Sequence, residues 1–219
     1  MKHSLKWNRN KTTRNNFITY GVVILAYVIM QIMSSADALS STMEGLLVPI
    51  CAYVVMAISL NLTVGVLGEL SLGHAGFMSV GAFTGVTAAV ALSRNVDSGP
   101  VLLIVGMIVG ALFAALVGFL IGIPVLRLKG DYLAIVTLAF GEIIKGIFNN
   151  LYVGVDSSGL HMSLISDKTN LAEDGEMIIG GPMGLETIPR ESNFTAGIIL
   201  VIITLIVVFH LVNSRSGRA

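Results

Sequence analysis

The 219-residue sequence predicts an all-α fold, a polytopic transmembrane helix bundle with one long extracytoplasmic loop. Three observations predict it. Hydrophobic residues make up 54% of the chain and charged residues only 12%, where a soluble domain carries roughly 25% charged residues. Six apolar stretches, 17–33, 45–64, 70–92, 101–126, 132–150 and 194–212, are close to or above the ~20 residues that a helix needs to cross a bilayer core. Finally, a formal net charge of zero conceals an asymmetry. Lys2, Lys6, Arg9, Lys11 and Arg14 crowd the start without an acid, whereas 151–193 holds seven acids against Lys168 and Arg190. Such a pattern sets membrane topology and gives no nucleic-acid surface.

Each span follows from the same reasoning. The basic segment 1–16 belongs in the cytoplasm, so the first span, 17–33, leads outward. Ala36-Asp37-Ala38 after it has the form of a signal-peptide cleavage site, but the apolar run is long and further spans follow, so it reads as a retained anchor. Alternating crossings then put 34–44 and 93–100 outside, Arg127 and Lys129 inside, 151–193 outside, and Arg215 and Arg218 inside. Every basic cluster falls on one side. The chain thus divides into a basic N-terminus (1–16), a bundle of five spans (17–150), an acidic extracytoplasmic loop (151–193), and a last span with the start of a cytoplasmic loop (194–219). The third and fifth spans, which contain ionisable residues, are the least typical.

Within the spans, small residues imply packing. Gly106, Gly110, Ala114, Gly118 and Gly122 recur every four residues in the fourth span, and Gly81 and Gly85 repeat that spacing in the third. Lipid offers helices no hydrophobic reason to associate, so close backbone approach at small residues is a main route to contact. Glu142 and Lys145 stand three apart and therefore share a helix face as an intramembrane ion pair. Asp131, after Gly130, suits an N-cap, and Pro124 bends the end of the fourth helix. Cys51 is the one cysteine, which excludes a disulfide within the chain.

One short stretch breaks the pattern. "GELSLGHAGF" (68–77) places Glu69, Ser71 and His74 among glycines between two apolar runs. Glycine-rich, polar-bearing sequence at membrane depth makes non-helical backbone that lines a cavity. Ser71 and His74, three apart, face one cavity if the segment is helical. An interfacial loop with Glu69 near a helix start is the other reading. Motifs for catalysis are missing: there is no H-E-x-x-H pair, no G-x-S-x-G elbow and no phosphate loop, and His3, His74, His161 and His210 are scattered. An intramembrane enzyme using Glu69 and His74 as acid and base lacks both metal ligands and a nucleophile. The sequence gives no catalytic residue, no metal site and no bound cofactor.

"NLTVGVLGELSLGHAGFMSVGAFTG" (61–85), "LRLKGDYLAIVTLAFGEIIKGIFNN" (126–150) and "GGPMGLETIP" (180–189) are colinear blocks. They resemble the permease subunits of bacterial branched-chain amino acid ABC transporters, the LivM type. The resemblance implies a multi-pass inner-membrane subunit that works with a second permease, two ATP-binding subunits and a periplasmic solute-binding protein. ATP and Mg would be held by the ATPase subunits. Substrates would be leucine, isoleucine and valine, or in related systems other amino acids, short amides or urea. Ser71 and His74, with Glu69 beside them, are read as lying near the substrate pathway. The chain departs from the family at Glu69, where glutamine is usual, and in 151–179, which is longer than usual. "NSRSGRA" (213–219) resembles the start of the cytoplasmic loop that contacts the ATPase, and the family continues beyond it. A non-transporting accessory subunit is the remaining alternative.

Overall fold

The computed structural model describes residues 2–214 apart from positions 37, 67, 70, 97, 126, 129, 158, 165–170, 172–174 and 189–192, with side chains from residue 17 onward. Lys129, Arg215 and Arg218, on which part of the topology argument rests, lie outside the described residues. The elements run α1 (Lys2–Ser35), α2 (Ser41–Asn61), α3 (His74–Ser93), α4 (Gly99–Val125), α5 (Asp131–Asn149), β1 (Tyr152–Asp156), β2 (Gly159–Ser163), β3 (Glu176–Gly180) and α6 (Phe194–Asn213).

Among the described residues, five helical stretches are long and apolar enough to cross a membrane: Phe17–Ser35, Ser41–Val66, His74–Ser93, Gly99–Val125 and Phe194–Asn213. The expected span at 132–150 does form a helix, α5, but it is not one of these five; it carries Asp131, Glu142 and Lys145. Leu112, Phe119, Tyr132, Ile135 and Val207 point outward and are exposed, as a bilayer rather than water requires of contiguous apolar faces.

Two compact units divide the chain, 1–62 with 192–219, and 63–191. In the first, α1, α2 and α6 share a core of Cys51, Val201 and Leu205, flanked by Tyr20, Val55 and Phe209. Gly197 is what allows α6 to close on α2: a Cβ there would lie 2.9 Å from the Cβ of Cys51. Tyr20 meets Phe209 edge to face with ring centroids 5.6 Å apart, and the Tyr27 and Thr195 hydroxyls are 3.2 Å apart.

In the second unit α3 is the central helix. Against α4 it packs through glycines on both sides: a Cβ on Gly106 would come 2.9 Å from the Gly85 carbonyl oxygen, and one on Gly85 would come 2.8 Å from that of Gly106. One turn on, the approach is one-sided: a Cβ on Gly110 would run into the Gly81 carbonyl oxygen, whereas one on Gly81 would lie 3.6 Å from that of Gly110. The stripe read from sequence is therefore only partly a packing surface. Ala114 still reaches Gly81 at 3.7 Å, but Gly118 meets only a ring atom of Phe77 at 3.9 Å, and nothing lies within 4 Å of a Cβ on Gly122. The crossing of the two helices carries the stripe's far end away from α3. Regular spacing continues along a helix; a contact between straight helices does not.

The acidic segment is more than a loop. Strand β1 is central in an antiparallel sheet of order β2-β1-β3. Val90 of α3 packs with Val153, Val155, Ile178 and Ile179 of the sheet, all nearly inaccessible. Strands of five residues are too short to give a strong alternation signal beside acidic sequence. Their β-branched residues were the available cue.

One helix end also differs from expectation. Asp131 is the first residue of α5 and not its N-cap; Gly130 holds the cap with φ 61° and ψ −136°, and no side-chain cap bond forms. That conformation is open to glycine and strained for other residues. Asp131 then contributes by its charge in the first turn. Pro124 lies one residue before the end of α4 at Val125.

Candidate functional site

The polar break sits between α2 and α3. The last turn of the α2 stretch widens into a π-helical turn, Leu62–Val66, a form frequent at functional sites. Gly68 follows with φ 70°. The backbone N–H of Glu69 donates to the Thr63 carbonyl at 3.2 Å. Residues 71–73 are non-helical, and α3 begins only at His74.

The condition under which Ser71 and His74 would share a helical face is therefore not met: Ser71 precedes the helix. Two hydrogen bonds tie this non-helical stretch to α5. The N–H of Leu72 donates to the Thr137 hydroxyl at 3.0 Å, and that hydroxyl donates to the Ala134 carbonyl at 3.0 Å. Gly73 lies directly against α5, where a Cβ would come 2.8 Å from the Thr137 carbonyl oxygen. Gly76 continues the contact, since a Cβ on it would be 3.2 Å from the Gly141 Cα. Two glycines of "GELSLGHAGF", Gly73 and Gly76, thus bring α3 and α5 together, whereas Gly68 has nothing within 4 Å of a Cβ. Glu69 is exposed and five residues ahead of α3, too far for the helix dipole to act on it.

Alongside this contact, between the two helices, lies a cleft of about 310 Å³, lined by Leu72, Ala75, Ser79, Phe83, Leu138, Glu142, Lys145 and Phe148 among others. The break contributes Leu72; Glu69, Ser71 and His74 are not in the lining. Glu142 and Lys145 meet at 3.4 Å between Oε2 and Nζ, with their side chains 65% and 66% exposed. The pair forms, but on the wall of an open cleft; within this chain it is not enclosed by the bundle. Beyond their first turns, the helices from Phe17 onward contain no Asp, Glu, Lys or Arg except these two.

Phe83 and Phe148 stack at 4.2 Å with an interplanar angle of 21°. They form a wall shared with a second cavity of about 300 Å³, an apolar one reaching Thr87, Phe113, Val153, Leu160 and Met162 beneath the sheet. Sequence reading missed this aromatic pair and Thr137. A lone threonine inside an apolar helix was a weak cue for Thr137. Phe83 and Phe148 lie 65 residues apart, and nothing local links them.

The turn between β1 and β2 holds a further polar group. Asp156, almost fully buried, accepts from the Gly159 N–H at 3.1 Å and meets His161 Nε2 at 3.0 Å. Arg94 donates to the Val155 carbonyl at 3.1 Å. Among the described residues no three His, Cys, Asp or Glu side chains are gathered as metal ligands.

Apolar helices with exposed apolar flanks, a glycine-rich break between two of them and a charged pair on the wall of an open cleft define a polytopic integral membrane protein. The chain belongs to the family of branched-chain amino acid transport system permease components, which it matches over residues 42–219. That family consists of transporter permeases and not of enzymes. The chain is 32% identical over 173 residues to the high-affinity branched-chain amino acid transport system permease protein LivM of Salmonella typhimurium strain LT2. It is 35% identical over 179 residues to the LivM protein of Escherichia coli strain K12. These matches take in 79% and 76% of this chain but only 32% and 40% of the two relatives. The chain therefore spans well under half the length of the curated relatives it matches. No solved structure matches it.

Proposed function

We propose that the chain forms part of the translocation pathway of an ATP-driven importer of branched-chain amino acids in the bacterial inner membrane. The colinear family match over 42–219 carries the reading, because it takes in the helix break, the cleft and the sheet together. The partners are a second permease, two ATP-binding subunits and a periplasmic solute-binding protein; ATP and Mg reside on the ATPases. The N-terminus faces the cytoplasm, so α3 and α5 run outward in parallel and the sheet lies on the periplasmic side. Glu69, Ser71 and His74 then border the cytoplasmic mouth of the route, next to Leu72 at the edge of the cleft.

Alternating access supplies the mechanism. The ATPases bias the permease between outward- and inward-open states, and they act only through contacts that differ between those states. Chemistry in this chain is limited to binding and passage. The test is uptake of radiolabelled leucine, valine and urea by cells that express the chain with its partner subunits, compared with cells lacking it. ATP-dependent uptake of leucine that requires the chain supports the reading. Urea uptake in its place would assign the chain to a related importer, and uptake indifferent to the chain would make it an accessory subunit.

A further inference from the structure

We infer that the cleft between α3 and α5 is a binding position for a zwitterionic α-amino acid with an apolar side chain, with Lys145 taking the carboxylate and Glu142 the ammonium group. The inference rests on the transporter reading and adds to it a site and an orientation. Three observations carry it. First, Glu142 and Lys145 are the only Asp, Glu, Lys or Arg residues beyond the first turns of the helices from Phe17 onward, and charges carried within an otherwise apolar helix usually face a cavity and mark ligand or ion routes. Second, both line the cleft, and both side chains are about two-thirds exposed to it and its surroundings.

Third, the remaining wall has the complementary chemistry. Leu72, Phe83, Leu138 and Phe148 give an apolar surface next to the two charges. The ammonium and carboxylate of an α-amino acid hang from one carbon, so a site for both needs opposite charges side by side with an apolar surface beyond. An i, i+3 pair on one helix beside a stacked aromatic wall supplies that arrangement. The cleft, about 310 Å³, is also at the small end of the ~300–1,000 Å³ usual for ligand pockets. An exposed, single-contact pair is weak, so a ligand carrying both charges can replace it with two charge-assisted hydrogen bonds. No bond is made or broken covalently.

A double substitution separates this site from a purely structural pair. Glu142→Gln with Lys145→Met leaves no unpaired charge and keeps the side-chain volumes similar. The full chain in nanodiscs would be incubated with radiolabelled leucine, and with 4-methylpentanoate and 3-methylbutylamine as competitors that each lack one charged group. The expected result is saturable leucine binding to the wild type, at least tenfold weaker binding to the double variant, and at least tenfold poorer competition by either analogue than by leucine. Wild-type binding unchanged in the double variant, no saturable binding to the wild type, or competition by an analogue as strong as leucine overturns the site. Uptake by the assembled transporter, measured in parallel, tests the parent reading separately. Full leucine uptake with the double variant overturns the site and leaves the transporter standing, whereas wild-type subunits that take up no leucine overturn both.

Discussion

Single residues decide how closely α3 can be approached. Gly85 and Gly106 each lie within 3 Å of the other's carbonyl at the position of a Cβ, so a larger side chain on either must separate the helices. Gly85→Leu is expected to lower stability by about 1–3 kcal/mol, the usual range for overpacking. Gly122→Leu, with nothing within 4 Å, is expected to change it little; thermal unfolding followed by circular dichroism in detergent compares the two. Thr137 is a second such position. Thr137→Val removes the acceptor of the Leu72 N–H and leaves a part-buried donor without it, at a cost of about 1–3 kcal/mol. Thr137→Ser retains the hydroxyl, and a Thr137→Ser midpoint as low as that of Thr137→Val would contradict this account. The Glu142–Lys145 pair behaves differently. Because both side chains are about two-thirds exposed, Glu142→Gln is expected to shift stability by no more than about 1 kcal/mol.

At the scale of elements, the sheet and the helix break define the two ends of the α3–α5 pair. Strand β1 is hydrogen-bonded on both sides, whereas β2 is paired on one side only. The β1 residues Val153 and Val155 also belong to the core that the sheet forms with α3. Amide hydrogen exchange should therefore be slower at Val153 and Val155 than at Leu160 and Met162. Equal exchange across the two strands would mean that the sheet is not a lasting part of the structure. The sequence indicated a helix break at 65–76, because four glycines and three polar groups interrupt an apolar run. It gave no sign that the break would be pinned by Thr137 of a helix 65 residues further on. The hairpin closed by Asp156 was equally hidden, since its partners are a backbone N–H and a histidine that sequence spacing leaves ordinary.

For the whole molecule, the proposed orientation is open to direct test. Cys51 is buried and is the sole cysteine, so Cys51→Ala provides a background without reactive thiols. In that background Met162→Cys, exposed on β2, should react with an impermeant maleimide added outside the cell, and Ser214→Cys, after α6, should not. Labelling confined to position 214 would reverse the topology.

What the sequence determined by itself follows from solvent. The scarcity of charge, the length of the apolar runs and the side on which basic residues gather are dictated by the cost of polar groups in hydrocarbon. That cost is felt by each segment separately, so membrane class, helix positions and the glycine-rich break could be read one segment at a time. Tertiary structure decided everything that depends on two segments meeting. It selected which glycines of a regular stripe touch another helix, because helices cross and their faces diverge. It set Glu142 and Lys145 on a cleft wall, and Leu72 at its edge in place of Ser71 and His74. It stacked Phe83 on Phe148 to divide one cavity from the next. None of these pairings has a local signature, because contact distance in a fold is independent of separation along the chain.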